Sequence, residues 1–440
     1  MFFKNWWPFK RKKKKRQAID GHLLLDKVYT QVNQLELGMY IVELDRPWLD
    51  TPFLFQGFEL KTEEEIRAVR DICDYVYVDT TKRKKTRNTV AEQAQVNIQS
   101  VLSYGSPPAK LSTFEKEISQ TAKVYKNTRI LVDDFMEKIA LGGGIDSKLA
   151  KEAVAECVNS VLHSPDAMLW LTQLKNKDEY TAQHSMNVCV LAIILGRHIN
   201  LSEKNLNIAG LCGMMHDMGK MLIPLEILDK PGKLELEEMK IMQTHTILGS
   251  ELLKSSNGMH PCAIEVAFNH HERLDGKGYC RQIKQSAISH FTKMVAIVDM
   301  YDAMTSDRVY QKGRTHLETT NTMISVAGSH LDQALVVKFI ESIGVYPPGC
   351  LVELTNGIVA IVIEVNEQTK LRPKIITILD EEKHFTQEQV IDLSKMSEDK
   401  RGNVYTIKGV IRAEEFNIDL GKYYQNIILQ NGFAMKKNGI

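Results

Sequence analysis

The chain lacks the features that mark secreted, membrane-spanning and nucleic-acid-binding proteins. Its seven cysteines are scattered and include no C-x-x-C pair, which argues against a disulfide framework and favours a reducing compartment. The longest strongly apolar run, Val188 to Leu195, is far shorter than the roughly 20 residues that a membrane helix needs. A formal net charge of +1 gives the whole molecule no strong field for a nucleic-acid polymer. We therefore expect a cytoplasmic globular protein.

The first residues are an exception, because they combine aromatic and basic side chains. Aromatic residues precede an unbroken basic run from Lys10 to Arg16. Such a segment could rest weakly on an anionic membrane surface, and a solvated, disordered tail is the alternative. It does not have the order of a secretory signal peptide, since the basic block follows the apolar part. We assign residues 1–27 to this N-terminal tail.

A length of 440 residues indicates two or three domains. Residues 28–82 have the pattern of a small α/β module. Met39–Leu44 and Tyr75–Asp79 are rich in β-branched and aromatic residues, and Thr62–Cys73 begins with an N-cap threonine and acidic residues, which predicts a helix between two strands. The polar residues 83–110 are predicted to be a linker.

The rest of the chain divides into a helical and a β-rich region. Residues 111–344 have helical periodicity almost throughout. The first helical stretch, Thr113–Ala140, is long and amphipathic, and Gly142–Gly144 end it. Residues 345–440 are predicted to form a β-rich appendage. Its first two strands are joined by Asn356-Gly357, a strong hairpin signal.

Within the helical region lies a spaced series of histidine and aspartate residues. Its members are His184, His216, Asp217, His245, His270, His271 and Asp299. Several neutral imidazoles around a bridging carboxylate are what a polynuclear metal site needs. An enzyme that hydrolyses a stable ester must lower the activation barrier by about 8–23 kcal/mol. A histidine that acts as acid or base accelerates the reaction by only about 10²–10⁴-fold, or about 3–5 kcal/mol. The series therefore predicts a metal-dependent hydrolase.

Two neighbouring groups extend this prediction. We expect a helix through "LCGMMHDMGK" (Leu211–Lys220), with Lys220 on the face of His216 one turn further on. A cation there could steady a phosphate or a departing oxygen; the alternative is a solvated charge at a helix end. Asp299 and Asp302 are three residues apart and share a helical face, and we expect Asp302 to have a supporting role. The histidines outside the series are expected to be structural or exposed. They include His260, His290, His316 and His330.

These motifs resemble the HD-GYP family of HD-type metal-dependent phosphohydrolases. The likeness runs from about Asp178 to Lys312 and includes "DEYTAQHS", "HDMGK", "ILDKPGKL", "HHERLDGKGY" and "VDMYDAMTSDR" in the family's order. Residues 28–80 are also similar to the small module often found ahead of such domains. The implied fold class is mainly α: an all-helical HD-type domain with a small N-terminal α/β module and a short C-terminal β-rich appendage.

The resemblance implies hydrolysis of a cyclic dinucleotide, chiefly cyclic di-GMP, with 3′,3′-cyclic GMP–AMP left open. We expect a hydroxide between the metal ions to attack phosphorus in line, giving a linear dinucleotide or mononucleotides. Some relatives bind a third metal through a glutamate four residues before the first histidine. Tyr180 stands there in this chain, so the resemblance favours two divalent ions, iron or manganese.

The resemblance also assigns roles to single residues. The metal ligands would be the whole series, His184, His216, Asp217, His245, His270, His271 and Asp299. Asp217 would bridge the metals and act with Lys220 in catalysis. Arg308, Lys312 and Tyr279 would bind substrate. For Arg308 a structural role remains open, either as a helix cap or in an ion pair with Asp302 or Asp307.

Three positions depart from the family's pattern. Cys280 replaces the proline after Gly278-Tyr279, Thr246 replaces a proline after the third motif, and Gln311 replaces a basic residue. None removes a ligand, but Cys280 leaves the geometry of the loop open. That loop could dock a diguanylate cyclase, and the chain could form a homodimer. A catalytically inactive scaffold that binds a cyclic dinucleotide or a cyclase is the alternative function.

Overall fold

The computed structural model describes most of the chain beyond the N-terminal tail. The described residues are 27–45, 58–79, 112–173, 180–307, 312–366, 369–395, 406–418 and 420. The predicted tail up to residue 26 and the predicted linker 83–110 lie outside this set. The chain divides into two compact units, and one of them contains the described residues 27–45 and 58–79.

The N-terminal unit is a small antiparallel sheet with one helix. Its elements are β1 (Lys27–Gln31), β2 (Tyr40–Leu44), β3 (Phe58–Glu59), α1 (Glu63–Arg70) and β4 (Tyr75–Asp79), with strand order β1-β4-β2-β3. The prediction of two strands and an intervening helix is confirmed, and Thr62 caps α1 through a capping box with Glu65. Strands β1 and β3 are not predicted from the sequence. Both lie at the edges of the sheet, and β3 has two residues.

The side chains of β4 alternate between the buried and the exposed face of this sheet. Val76 and Val78 point into the core beside Ile66 and Val69 of α1, as the two-residue period of a strand requires. Ile41 of β2 belongs to the same core and is fully buried.

The second unit begins with consecutive helices. They are α2 (Phe114–Ala140), α3 (Ser147–His163), α4 (Pro165–Leu171), α5 (Tyr180–His198), α6 (Glu203–Met215), α7 (Leu225–Leu228), α8 (Leu236–Gln243), α9 (His245–Ser255), α10 (Pro261–Asn269), α11 (His290–Thr305), α12 (His316–Val326) and α13 (Gln333–Ile343). The predicted mainly α fold is confirmed. Among the described helices, none combines the length and the apolar character that crossing a bilayer requires.

Helix α5 is the centre of this unit. The apolar run Val188–Leu195 is buried on every side, which explains why it lacks a polar face. Helix α6 packs very closely on it at Gly213, where a Cβ atom would lie 2.8 Å from the carbonyl oxygen of Val188 and 2.9 Å from the Cα of Cys189. This close packing brings the histidine near the start of α5 next to the histidine at the end of α6.

A five-stranded antiparallel sheet completes the second unit. Its strands are β5 (Leu351–Leu354), β6 (Val359–Glu364), β7 (Lys374–Leu379), β8 (Val390–Asp392) and β9 (Ile407–Ile411), in the order β8-β7-β6-β5-β9. The predicted hairpin at Asn356-Gly357 is confirmed as the connection between β5 and β6. The sheet adjoins the helices: Lys374 forms an ion pair with Glu115 of α2, and the amide of Val365 donates to Asp166 of α4.

Candidate metal centre

Several of the metal-ligand candidates lie at the ends of helices, whereas Asp299 lies in the middle of α11. His216 is the C-cap of α6 and His270 the C-cap of α10, whereas His245 is the first residue of α9. The prediction of a helix continuing through His216 to Lys220 is wrong: α6 ends at Met215, and a 3₁₀ turn, Met218–Leu222, follows. Ending the helix there lets His216 and the next residue turn into the interior.

Asp217 occupies the middle of the cluster, with a different pair of histidines facing each carboxylate oxygen. Its Oδ2 lies 3.2 Å from Nε2 of His216 and 3.5 Å from Nε2 of His184. Its Oδ1 lies 3.3 Å from Nε2 of His245 and 3.6 Å from Nε2 of His270. A carboxylate so placed can bridge two cations.

The remaining candidates extend the cluster on its two sides. Oδ1 of Asp299, on α11, lies 3.2 Å from Nε2 of His184. The His271 ring lies against that of His270, with ring centres 4.1 Å apart, and stacks on Tyr279 at 4.6 Å. Two groups of donors have atoms close enough to share an ion, one with His184, His216 and Asp217, the other with Asp217, His245, His270 and His271. Asp217 belongs to both.

The hydrogen bonds of the imidazoles determine which ring nitrogen faces the cluster. Nδ1 of His216 donates to the carbonyl of Gly213 at 2.7 Å, and Nδ1 of His245 donates to that of Met242 at 2.7 Å. A carbonyl oxygen only accepts hydrogen bonds, so the proton is on Nδ1 and the Nε2 lone pair is available for a cation. His270 is held in the same way by carbonyls of α10.

His184 is oriented differently, by a side chain. Its Nδ1 lies 2.7 Å from Oδ2 of Asp302, which is buried on α11. A carboxylate behind a histidine is a common way to fix a metal ligand and raise its basicity. The supporting role expected for Asp302 agrees with this contact.

Lys220 lies beside the central carboxylate. Its Nζ donates to Oδ2 of Asp217 at 2.5 Å. Lys220 was predicted to lie one helical turn from His216 on the same helix face. It lies instead in the 3₁₀ turn and contacts Asp217, three residues before it. The cation lies at the edge of the cluster, because a quarter of its side chain remains exposed.

Burial and charge give these groups the protonation states of metal ligands. Burial lowers the pKa of His245 and, more strongly, that of His271, so both are neutral at pH 7. Burial by itself would raise the pKa of Asp217, but the neighbouring histidines and the charge of Lys220 outweigh it and hold that pKa well below the usual value. Neutral imidazoles around an ionised carboxylate are ready to bind a cation without losing a proton.

The donor set also fits a metal because two of its atoms lack a hydrogen-bond partner among the residues that the structure describes. They are Nε2 of His216 and Oδ1 of Asp217, and both are buried. Buried polar atoms without a partner are costly, and a bound cation would satisfy both. Imidazole and carboxylate donors together suit iron, manganese or zinc.

The predicted substrate-binding residues are less closely grouped. Arg308 and Gln311 lie outside the described residues. Lys312 is exposed, with its Nζ 3.6 Å from Glu414. Asp307 accepts a hydrogen bond from the amide of Gly313 at 2.7 Å. Tyr279, stacked on His271, is the predicted substrate residue that the structure brings to the cluster.

The histidines outside the series have structural contacts. His260 is the N-cap of α10 and accepts a hydrogen bond from the amide of Cys262. His316 is buried beside the hydroxyl of Tyr301 at 3.0 Å, and burial lowers the pKa of His316 to about 4. The expectation that these histidines are structural agrees with these contacts.

Glu272 was not assigned a role from the sequence, although it follows the histidine pair directly. Its buried carboxylate accepts hydrogen bonds from the amides of Arg281 at 2.6 Å, Gln282 at 2.9 Å and Ile283 at 3.2 Å. Three amides converging on one anion form a strong local anchor. Glu272 therefore holds the end of the loop that carries Tyr279.

We expect Glu272→Gln to loosen this loop while leaving the helices intact. Loss of charge-assisted bonds costs about 1.5 kcal/mol or more, which corresponds to about a tenfold larger population of the open loop. Trypsin should then cleave after the exposed Arg281 and Lys284 about tenfold faster. Glu251→Gln, at an exposed position of α9, is the control. Equal cleavage rates in both variants would contradict the anchoring role.

Comparison with protein families gives three matches along the chain. Residues 28–150 match "Domain of unknown function (DUF3391)", residues 170–335 match "HD domain", and residues 351–399 match "KOW domain associated with HD domain". The first match extends beyond the predicted module, across the predicted linker and into α3. The second contains every metal-ligand candidate.

Individual relatives agree in their described activity. A cyclic di-GMP phosphodiesterase of Pseudomonas aeruginosa is 34% identical over 389 residues, which cover 88% of this chain and 92% of that protein. The 3′3′-cGAMP-specific phosphodiesterase 1 of Vibrio cholerae is 36% identical over 157 residues, or 36% of each chain. A cyclic di-GMP phosphodiesterase of Thermotoga maritima is 34% identical over 166 residues, covering 38% of this chain and 45% of that protein.

Proposed function

The chain belongs to the HD-GYP family of metal-dependent phosphohydrolases, and we propose that it is a phosphodiesterase that hydrolyses a cyclic dinucleotide. The observation that carries the proposal is the position of Asp217, whose two oxygens face different histidine pairs. Intact ligand positions favour an active enzyme over an inactive scaffold. The P. aeruginosa relative, matched over nearly its whole length, favours cyclic di-GMP over the mixed GMP–AMP compound.

We propose two divalent ions, iron or manganese. The His184 group and the His245 group would each hold one, with Asp217 shared between them and Asp299 added to the first. Bound there, such ions supply Lewis acidity and a nucleophilic water at neutral pH. Tyr180 begins α5 one turn before His184, where a carboxylate would be needed for a third ion.

The protein's own residues then have separate roles. Lys220 offsets negative charge that develops on the phosphoryl oxygens, because its Nζ lies at the edge of the cluster beside Asp217. Tyr279 gives one wall of the substrate site through its stacking on His271, and a nucleobase or ribose can pack on such a ring. Arg308 and Lys312 would bind substrate, Arg308 through one of its phosphates.

The test is turnover by protein reconstituted anaerobically with iron or manganese. Cyclic di-GMP and 3′,3′-cyclic GMP–AMP are incubated separately, and the products are separated by chromatography. We expect metal-dependent cleavage, faster for cyclic di-GMP, that is lost in the His216→Ala, Asp217→Ala double variant. Cleavage of neither compound by protein that holds metal would overturn the substrate assignment. Protein that neither binds metal nor turns over either compound would support the scaffold.

Several predictions about surroundings and partners stay predictions. These are a cytoplasmic location, docking of a diguanylate cyclase at the Gly278-Tyr279 loop, a homodimer, and weak contact of the N-terminal tail with a membrane surface. Cys280 lies within this loop, and its thiol lies 3.7 Å from the carbonyl oxygen of Phe268. This contact supports an ordered loop in the absence of the usual proline.

A further inference from the structure

A chain of buried hydrogen bonds leads from α2 to the metal-ligand candidate His184. The hydroxyl of Tyr125 on α2 donates to Oδ1 of Asn187 at 2.7 Å. The amide of Asn187 donates to Oδ1 of Asp302 at 2.8 Å. The other oxygen of Asp302 lies 2.7 Å from Nδ1 of His184. We call this series, Tyr125, Asn187, Asp302 and His184, the relay.

Every member of the relay is buried, and its geometry leaves little freedom. Asn187 is held from a second direction, since its amide also donates to the carbonyl of Thr172 at 3.3 Å. Burial in this setting, with the charge of Asp302 nearby, raises the pKa of Tyr125 strongly, so its hydroxyl keeps its proton and remains a donor. With donor and acceptor roles fixed, the amide of Asn187 must point its NH₂ group at Asp302.

The relay distinguishes His184 from three other ligand candidates. His216, His245 and His270 are oriented by backbone carbonyls within four residues of each ring. A backbone carbonyl moves only with its helix. Asp302 is a side chain with its own rotamers. The amide of Asn187 donates to its Oδ1, and the hydroxyl of Ser306 donates to its Oδ2 at 3.4 Å, so Asn187 orients the oxygen that does not face His184.

We propose that Tyr125 and Asn187 are positioning residues that set the affinity of the metal at His184, His216, Asp217 and Asp299. This inference rests on the proposed metal-dependent function and adds residues that contact neither metal nor substrate. Without the Tyr125 hydroxyl, Oδ1 of Asn187 loses its donor, and the amide is then held through its NH₂ contacts with Asp302 and the Thr172 carbonyl, which orient Asp302 less firmly. Partners behind a metal ligand typically change metal affinity by about 10–100-fold when they are removed.

The experiment is a stepwise titration of metal-free protein with Mn²⁺, following free Mn²⁺ by electron paramagnetic resonance. We expect Tyr125→Phe to weaken one of the two sites about tenfold, the lower end of the usual range, and to leave the other within about twofold. Asn187→Leu removes two donors and should weaken the same site by about 100-fold. If Asn187→Leu fails to fold, Tyr125→Phe alone decides the question.

Thr128→Val is the matched control. Thr128 lies one turn after Tyr125 on α2 and is also buried, but its hydroxyl contacts the thiol of Cys157 at 3.5 Å rather than the relay. Both variants remove one buried hydroxyl from the same helix, so a general loss of packing would affect both. Unchanged affinities in Tyr125→Phe, or equal weakening of both sites, would overturn the positioning role. Failure of the wild-type protein to bind both Mn²⁺ and, under anaerobic conditions, Fe²⁺ would instead overturn the proposed function.

Discussion

Asp217→Asn is expected to lower kcat/KM for the cyclic dinucleotide by at least about 10³-fold. Bound metal ions contribute several kcal/mol of transition-state stabilisation, and each 1.36 kcal/mol corresponds to about a factor of ten. An amide has nearly the shape of the carboxylate but carries no charge and offers a single oxygen. Since Oδ1 and Oδ2 of Asp217 face different histidine pairs, both metal positions should be affected together.

The same variant should lose the stabilisation that metal binding gives. For a wild-type site at about 100 times its Kd, bound metal adds about 2.7 kcal/mol of stability, which raises Tm by about 5–10 °C in a domain of this size. We expect Mn²⁺ to raise the Tm of the wild-type protein and not that of Asp217→Asn. Metal content, Tm with and without Mn²⁺, and turnover are measured on the same samples.

Asp134→Asn provides the control for this substitution. Asp134 is a half-exposed carboxylate on α2 that pairs with Lys138, so the change is chemically identical and removes only a surface contact of little energetic weight. It should retain metal binding and activity. An Asp217→Asn protein that still binds two equivalents of metal and turns over near the wild-type rate would disprove the bridging role.

Gly219→Ala is expected to give the largest loss of stability. A Cβ atom at Gly219 would lie 2.0 Å from the carbonyl oxygen of His245, 2.4 Å from the amide nitrogen of Gly249 and 2.7 Å from its Cα. These are backbone atoms, which cannot rotate away as a flexible side chain can. The 3₁₀ turn and α9 would have to separate, at a cost of about 3 kcal/mol or more, or about 6–12 °C in Tm.

The separation should also impair the cluster. Gly219 lies two residues after Asp217, and it contacts the backbone of His245. Moving the turn away from α9 would therefore lengthen the distance between the side chains of Asp217 and His245. Chemical denaturation and metal titration measure both effects. Gly144→Ala is the control, because nothing lies within 4 Å of its Cβ position, and we expect a change below about 1 kcal/mol. Equal stability of the two variants would show that the turn and α9 can move apart freely.

The secondary structure was largely predictable because its signals are local. The N-cap and capping box at Thr62 and the Asn356-Gly357 turn act within a few residues of themselves. The exception lies at the metal cluster, where α6 ends at Met215 although the sequence around it remains apolar and helical in period. Tertiary packing overrides propensity there, since close contact of Gly219 with α9 requires the chain to leave the helix.

The residues that are available for the chemistry can be identified without the structure. The spaced histidines and aspartates, with their surrounding motifs, identify the family, because a metal site requires particular side chains in a particular order along the helices. How these side chains are arranged around one another depends on the packing of the folded domain. Tyr125 and Asn187 are 62 residues apart, and Asn187 and Asp302 are 115 residues apart, so no local signal could pair them. The central position of Asp217 likewise depends on helix ends converging from separate parts of the chain, and packing of the whole domain alone determines that convergence.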